Sequence, residues 1–189
     1  MKRGEITLAD ITRKYTQELH ANEIVLLSYY IAAINIESVF DEINGPEDYI
    51  PFDGIVLADT FASTEQTEVI DEDMFGGNDK RLKKQQEVPI TAIISNPPYS
   101  VGQRSENDNN QNLHYEKLEQ RIRDTYSRGS RSKNNSSLMD SYIKAFRWAS
   151  DRLGEQGVIG FITNSGFVDK NTADGLREAL YQEYNDLYV

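Results

Sequence analysis

Cysteine is absent from the 189 residues. Its absence excludes disulfides, thiolate metal ligands and a cysteine nucleophile, and fits a reducing cytoplasm. Histidine is nearly absent: His20 and His114 are the only two. Neither has a second histidine or cysteine at ligand spacing, so no metal is expected. No apolar run approaches the roughly 18 residues of a membrane span. The opening MKRGEITLAD lacks the apolar stretch of a signal peptide. Bulk positive charge is missing as well. The net charge is −11, which argues against wrapping nucleic acid by charge alone. The deficit is uneven. Residues 1–103 carry 8 basic and 18 acidic side chains, residues 104–152 carry 10 and 7, and residues 153–189 carry 2 and 6. Any contact with a phosphate backbone is therefore sought in the middle segment; an ordinary solvated surface accounts for the charge equally well.

What remains is a pattern of short apolar runs separated by helical periodicities. A short strand is expected over 15–21. Asn22 is then a helix cap, and Ile24, Leu27, Ile31 and Ile34 recur at helical spacing. The segment GPEDYIPFDG is a break, GIVLAD at 54–59 is a short buried run, and 62–88 is a charged excursion with helical character near KRLKKQQE. ITAIIS at 90–95 is the clearest strand. Residues from about 100 to 137 are expected to form a long loop insertion, because SENDNNQN and SRGSRSKNNSS are poor in apolar residues. A helix follows, with Leu138, Tyr142, Ala145, Phe146, Ala149 and Leu153 on one face and Gly154 after its end. VIGFIT at 158–163 reads as another strand and 171–183 as another helix, with DLYV opening a last strand.

Strands alternating with helices predict an α/β fold with a mostly parallel sheet, here as one partial domain over 1–189. In such sheets ligands collect outside the carboxyl ends of the strands. That rule selects Glu23, Asp59, Asn96 to Tyr99 and Asn164 to Phe167, brought from distant places in sequence to one edge.

Asn96-Pro97-Pro98-Tyr99 directly follows the clearest strand. Proline fixes φ and removes an N–H, and the residue before a proline is pushed to extended geometry. The corner is therefore stiff. It aims two acceptors, the Asn96 side-chain oxygen and the Pro97 carbonyl, beside the flat face of Tyr99. A planar amino group with two hydrogens would satisfy both, and an attached ring could stack on Tyr99. An adenine with its exocyclic N6 has this shape and would have to leave the duplex to reach it. The bland alternative is a plain loop after a strand.

Two carboxylates invite a nucleoside cofactor. Glu23 can accept both ribose hydroxyls; it is equally a favourable acid in a first helical turn. Asp59 can accept from an adenine amino group; it is equally a cap or turn residue.

The order ELHANEI, IVLADTF, IISNPPYS and SYIKAFRWASDRLGEQGVIGFITNSGF resembles the γ-type N6-adenine DNA methyltransferases. More narrowly, it resembles the methyltransferase region of Type ISP restriction–modification enzymes, in which nuclease, helicase, methyltransferase and target-recognition parts share one polypeptide. The resemblance implies a Rossmann-like sheet and S-adenosyl-L-methionine as cofactor, its ribose held by Glu23 and its adenine by Asp59. It places the base site at Asn96, Pro97, Pro98 and Tyr99, with direct passage of the methyl to N6, and part of the pocket wall at 164–167. Double-stranded DNA is the implied partner, approached by Arg121, Arg123, Arg128, Arg131 and Lys133. The family's glycine-rich loop after its first strand has no counterpart, since Gly4 is the only glycine before Glu23. The first strand is therefore expected to be missing and the chain to be a truncated piece, inactive alone. Transfer to a protein glutamine amide or to RNA uses the same corner, and a non-catalytic partner-binding role is the remaining alternative.

Overall fold

The computed structural model describes residues 6–45, 49–65, 77–98, 114–131 and 136–189. The chain divides into two compact units, Met1–Val88 and Pro89–Val189, each built around short parallel strands and helices.

In the first unit a capping box starts α1 (Leu8–Arg13): Thr7 Oγ1 accepts from the Asp10 N–H at 3.2 Å, and Asp10 Oδ2 accepts from the Thr7 N–H at 3.1 Å. The helix winds on through a wider turn, Lys14–Glu18, where Lys14 and Glu18 pair at 3.1 Å. The expected strand at 15–21 is thus mostly helical, because the cap and the i,i+4 pair propagate the helix past the β-branched Thr16. The strand is the shorter β1 (Ala21–Glu23), so Asn22 lies within it and is no helix cap. β1 pairs in parallel with β2 (Ile55–Leu57), Ala21 opposite Ile55 and Glu23 opposite Leu57. Beyond β1 runs α2 (Leu26–Asn44), stopped at Gly45, whose φ of 92° favours glycine. Tyr15, Phe40, Phe52 and Ile55 form the core, with Tyr15 stacked on Phe40 at 3.8 Å between ring centroids.

The helix expected from the spacing of Ile24, Leu27, Ile31 and Ile34 is present as α2, and that stripe is largely exposed. Leu27, Ile31 and Ile34 are 68%, 51% and 63% exposed, while Tyr29, Ala32, Ala33, Ile36 and Phe40 pack on the core. Two short helices complete the unit: α3 (Ala62–Glu65) and α4 (Asn78–Glu87).

In the second unit β3 (Ile90–Ser95) pairs in parallel with β4 (Leu153–Phe161), Ala92 opposite Val158 through Ser95 opposite Phe161. The stretch expected as loop contains a helix: α5 (Glu116–Ile122) runs into a wider turn, Arg123–Ser127. Leu118, Ile122 and Tyr126, spaced by four, are all buried; the intervening charged residues masked that stripe. α6 (Ser141–Arg152), a short turn of helix α7 (Gly166–Asp169) and α8 (Asp174–Glu183) supply the rest of the core, in which Leu138 and Leu176 are fully buried. β4 begins directly after α6, so Gly154 lies in the strand. Residues 184–189 form no strand.

Charge is buried along α6. Arg147, 2% exposed, reaches Glu183 at 2.6 Å and Asp151 at 2.8 Å. Burial alone would lower its pKa; the Glu183 hydrogen bond and the facing carboxylates outweigh that and raise it. Lys144 meets Glu119 at 2.7 Å beneath the Tyr115 ring. Burial pushes the Glu119 carboxyl up, but the Lys144 ammonium and its hydrogen bond leave it below the ordinary value.

Asp174, at the start of α8, accepts from Ser130 Oγ at 2.5 Å, the Arg131 N–H at 2.9 Å and the Gly175 N–H at 2.8 Å. The Ser130 bond is the largest cause of a carboxyl pKa below its ordinary 3.8. The unfolded chain therefore binds more protons in acid. This contribution to stability is complete above the unfolded value and is lost as pH falls through the lowered native one. Asp174→Asn is expected to flatten the acid limb of the Tm–pH profile below about pH 4; an unchanged limb would remove this role.

Candidate active site

The stretch after β3 is covered at Pro97 and open on either side of it. Ser95 closes the strand, its carbonyl accepting from the Ile162 N–H at 3.1 Å. Asn96 is exposed, Pro97 is buried and Pro98 is exposed. Burial of the Pro97 ring seats the bend, and exposure of Asn96 leaves its amide accessible. Tyr99 lies outside the described residues.

At the end of β4 in the same unit, Asn164 Oδ1 accepts from the Gly166 N–H at 2.9 Å. Asn164 and Gly166 line a cavity of about 120 Å³ with Ser137, Asp140, Tyr142 and Lys170. Phe167 turns instead to Phe146, at 5.2 Å between centroids.

In the first unit Glu23 and Asp59 share one sheet edge. Glu23 ends β1 opposite Leu57, and its carbonyl accepts from the Ala58 N–H at 2.9 Å. Asp59 follows one residue later. Its Oδ1 accepts from the Phe61 N–H at 2.9 Å and the Ala62 N–H at 3.3 Å, so it caps α3, one of the uses its type suggested. Asn22 Nδ2 donates to Thr60 Oγ1 at 3.4 Å and ties the two strand ends together.

The basic residues of the middle segment divide by environment. Arg121 is bound to Asp151 by two bonds, at 2.7 and 3.1 Å, and Lys144 and Arg147 are buried in ion pairs. Arg123, Arg128 and Arg131 are exposed; Lys133 lies outside the described residues. Sequence reasoning missed the buried pairs, since a Lys or Arg four residues from an acid looks the same on a wet face. It also missed Asp140, 7% exposed at the start of α6.

Each unit thus has short parallel strands followed by helices, with carboxylates closing both strands of the first unit and an Asn-Pro-Pro stretch following β3 of the second. Residues 9–187 match the family model of the Eco57I restriction-modification methylase, and the chain belongs to that family. Among solved structures it is similar to a nuclease-deletion mutant of the Type ISP restriction-modification enzyme LlaGI in complex with a DNA substrate mimic: 61% identity, TM-score 0.90, 96% of this chain. It is also similar to the ATP-dependent Type ISP enzyme LlaBIII bound to DNA, at 60% identity, TM-score 0.85 and 93% coverage. The DrdV–DNA complex follows at 39% identity, TM-score 0.83 and 94% coverage. The chain spans 15%, 12% and 17% of the length of those three chains. No curated protein matches it. Among the described residues, no helix is long and apolar enough to cross a membrane.

Proposed function

We propose that this chain is the methyltransferase region of a longer restriction–modification polypeptide. It methylates N6 of a flipped adenine in double-stranded DNA, in the prokaryotic cytoplasm. The observation that carries the reading is the exposed Asn96 on a buried Pro97 at the carboxyl end of β3, in a chain of a restriction-modification methylase family.

The cofactor is S-adenosyl-L-methionine, which supplies an activated methyl group when bound. Two carboxylates at the ends of adjacent parallel strands suit a nucleoside: Glu23 would take the ribose hydroxyls and Asp59 the adenine amino group. The Asn96 side-chain oxygen and the Pro97 carbonyl would accept the two hydrogens of the target amine. Both bonds draw the nitrogen lone pair out of the ring and toward the methyl donor, so positioning and aimed dipoles do the catalytic work. Tyr99 would stack on the base, Asn164 to Phe167 would wall the pocket, and exposed Arg123, Arg128 and Arg131 would meet phosphates.

The sheet is read as Rossmann-like, with a first strand and glycine-rich loop contributed by further polypeptide.

The test uses the full-length polypeptide with labelled S-adenosyl-L-methionine and, in parallel, duplex DNA, RNA and protein acceptors. Label is expected in DNA alone, and Glu23→Ala or Asp59→Ala is expected to raise the KM for the cofactor at least tenfold. Label in protein or RNA would redirect the reading to those acceptors.

A further inference from the structure

We propose that Asn78 is a positioning residue for Asp59, acting as a side-chain substitute for a neighbouring strand; the proposal rests on the reading of Asp59 as a cofactor contact. β2 is three residues long, and β1 pairs with only one of its edges. On the other edge stands Asn78, the first residue of α4. The Leu57 N–H donates to Asn78 Oδ1 at 2.9 Å, and Asn78 Nδ2 donates to the Leu57 carbonyl at 3.1 Å. One planar amide thus satisfies both backbone groups of a single residue, the pattern a pairing strand would provide. One turn along α4, Arg81 Nε donates to the Ile55 carbonyl at 3.2 Å. The exposed edge of β2 is therefore closed by side chains of α4.

The clamp lies two residues before Asp59. On the β1 side the Ala58 N–H is held by the Glu23 carbonyl at 2.9 Å. Leu57 and Ala58 are gripped from opposite sides, which sets the direction in which the chain leaves the sheet. Asp59 then has its Oδ1 fixed by the Phe61 N–H. Asn78 in this way governs the placement of Asp59 relative to Glu23, the two carboxylates assigned to one nucleoside. No shorter side chain offers a donor and an acceptor in one plane. Asn78→Asp keeps the bond from the Leu57 N–H but turns a second acceptor toward the Leu57 carbonyl; Asn78→Leu removes both bonds.

The experiment is steady-state kinetics of the full-length polypeptide with S-adenosyl-L-methionine varied. Asn78→Leu is expected to raise the cofactor KM roughly tenfold to a hundredfold, the scale of a misplaced contact, with kcat at saturating cofactor changed less than about threefold. Asn78→Asp is expected to lie between wild type and Asn78→Leu, and carries the test if Asn78→Leu fails to fold. The double variant with Asp59→Ala is expected to match Asp59→Ala alone, because Asn78 acts through that carboxylate. Three outcomes overturn the proposal: a lowered Tm with unchanged KM, additive KM effects in the double variant, or a loss confined to kcat. If Asp59→Ala itself leaves KM unchanged, the assignment of Asp59 is wrong and the role of Asn78 falls with it.

Discussion

Asn96→Ala in the full-length polypeptide is expected to lower kcat for methyl transfer by about 10²-fold to 10³-fold, the range seen when one aimed hydrogen-bonding group is removed from a preorganised site. Cofactor affinity and Tm should stay near wild type. The reason is where the residue sits. Asn96 is exposed, so its truncation leaves no cavity, and exposed substitutions away from special features fall within about 0.5 kcal/mol. The bend survives because Pro97 remains buried and the Ser95 carbonyl keeps its bond from Ile162. On the proposed reading, what is lost is one of two acceptors for the target amine, an interaction that strengthens as the nitrogen becomes nucleophilic. Such a loss appears in kcat more than in KM. Rapid-quench measurement of labelled DNA checks this. A variant that bound and turned over like wild type would leave the corner a mere loop.

Gly175→Ala should have the largest effect on folding. Gly175 lies at the start of α8, against the turn that ends at Ser127. A β-carbon there would lie 1.9 Å from the Tyr126 carbonyl oxygen and 2.9 Å from the Ser130 N. Those atoms are backbone and cannot rotate away. The turn and α8 would have to separate, loosening the packing of Tyr126 and Leu176, both fully buried. Overpacking costs typically 1–3 kcal/mol and occasionally more; with backbone on the receiving side, about 3 kcal/mol or more is expected. In a unit of this size that corresponds to a fall in Tm of roughly 12 °C or more. Trp148, the one tryptophan, lies in α6 of the same unit, so its fluorescence during urea unfolding reports the change. A midpoint within error of wild type would mean that the approach of α8 to the turn relaxes at no cost.

Legibility followed the range of the interactions. The strand 90–95 and the helix at 141–152 could be read because β-branched runs and helical apolar spacing act over a few residues. The corner at Asn96 could be read because proline restricts its own backbone and its neighbour's. The acidic strand ends were visible, but Asp59 as the cap of α3 was only one of two uses open to it. Tyr15 was misplaced in a strand because a capping box five to eight residues upstream, Thr7 with Asp10, decides its conformation. The spacing of Leu27, Ile31 and Ile34 marked α2 as a helix but not which of its faces packs: both are apolar, and only tertiary packing selects Phe40 over Leu27. Lys144, Arg147 and Asn78 were illegible for a common reason. Each is defined by a partner 21 to 36 residues away, and nothing local marks a charged or amide side chain as buried against one.

The central claim is that Asn96 and Pro97 present two oxygens to the amino group of an extruded adenine. Mass analysis of nucleosides from plasmid DNA methylated by the full-length polypeptide tests it most directly. N6-methyl-2′-deoxyadenosine is the expected sole modified nucleoside, present with wild type and reduced at least a hundredfold with Asn96→Ala. A methyl on ring carbon, or N6-methyl-2′-deoxyadenosine made equally well by Asn96→Ala, would contradict it.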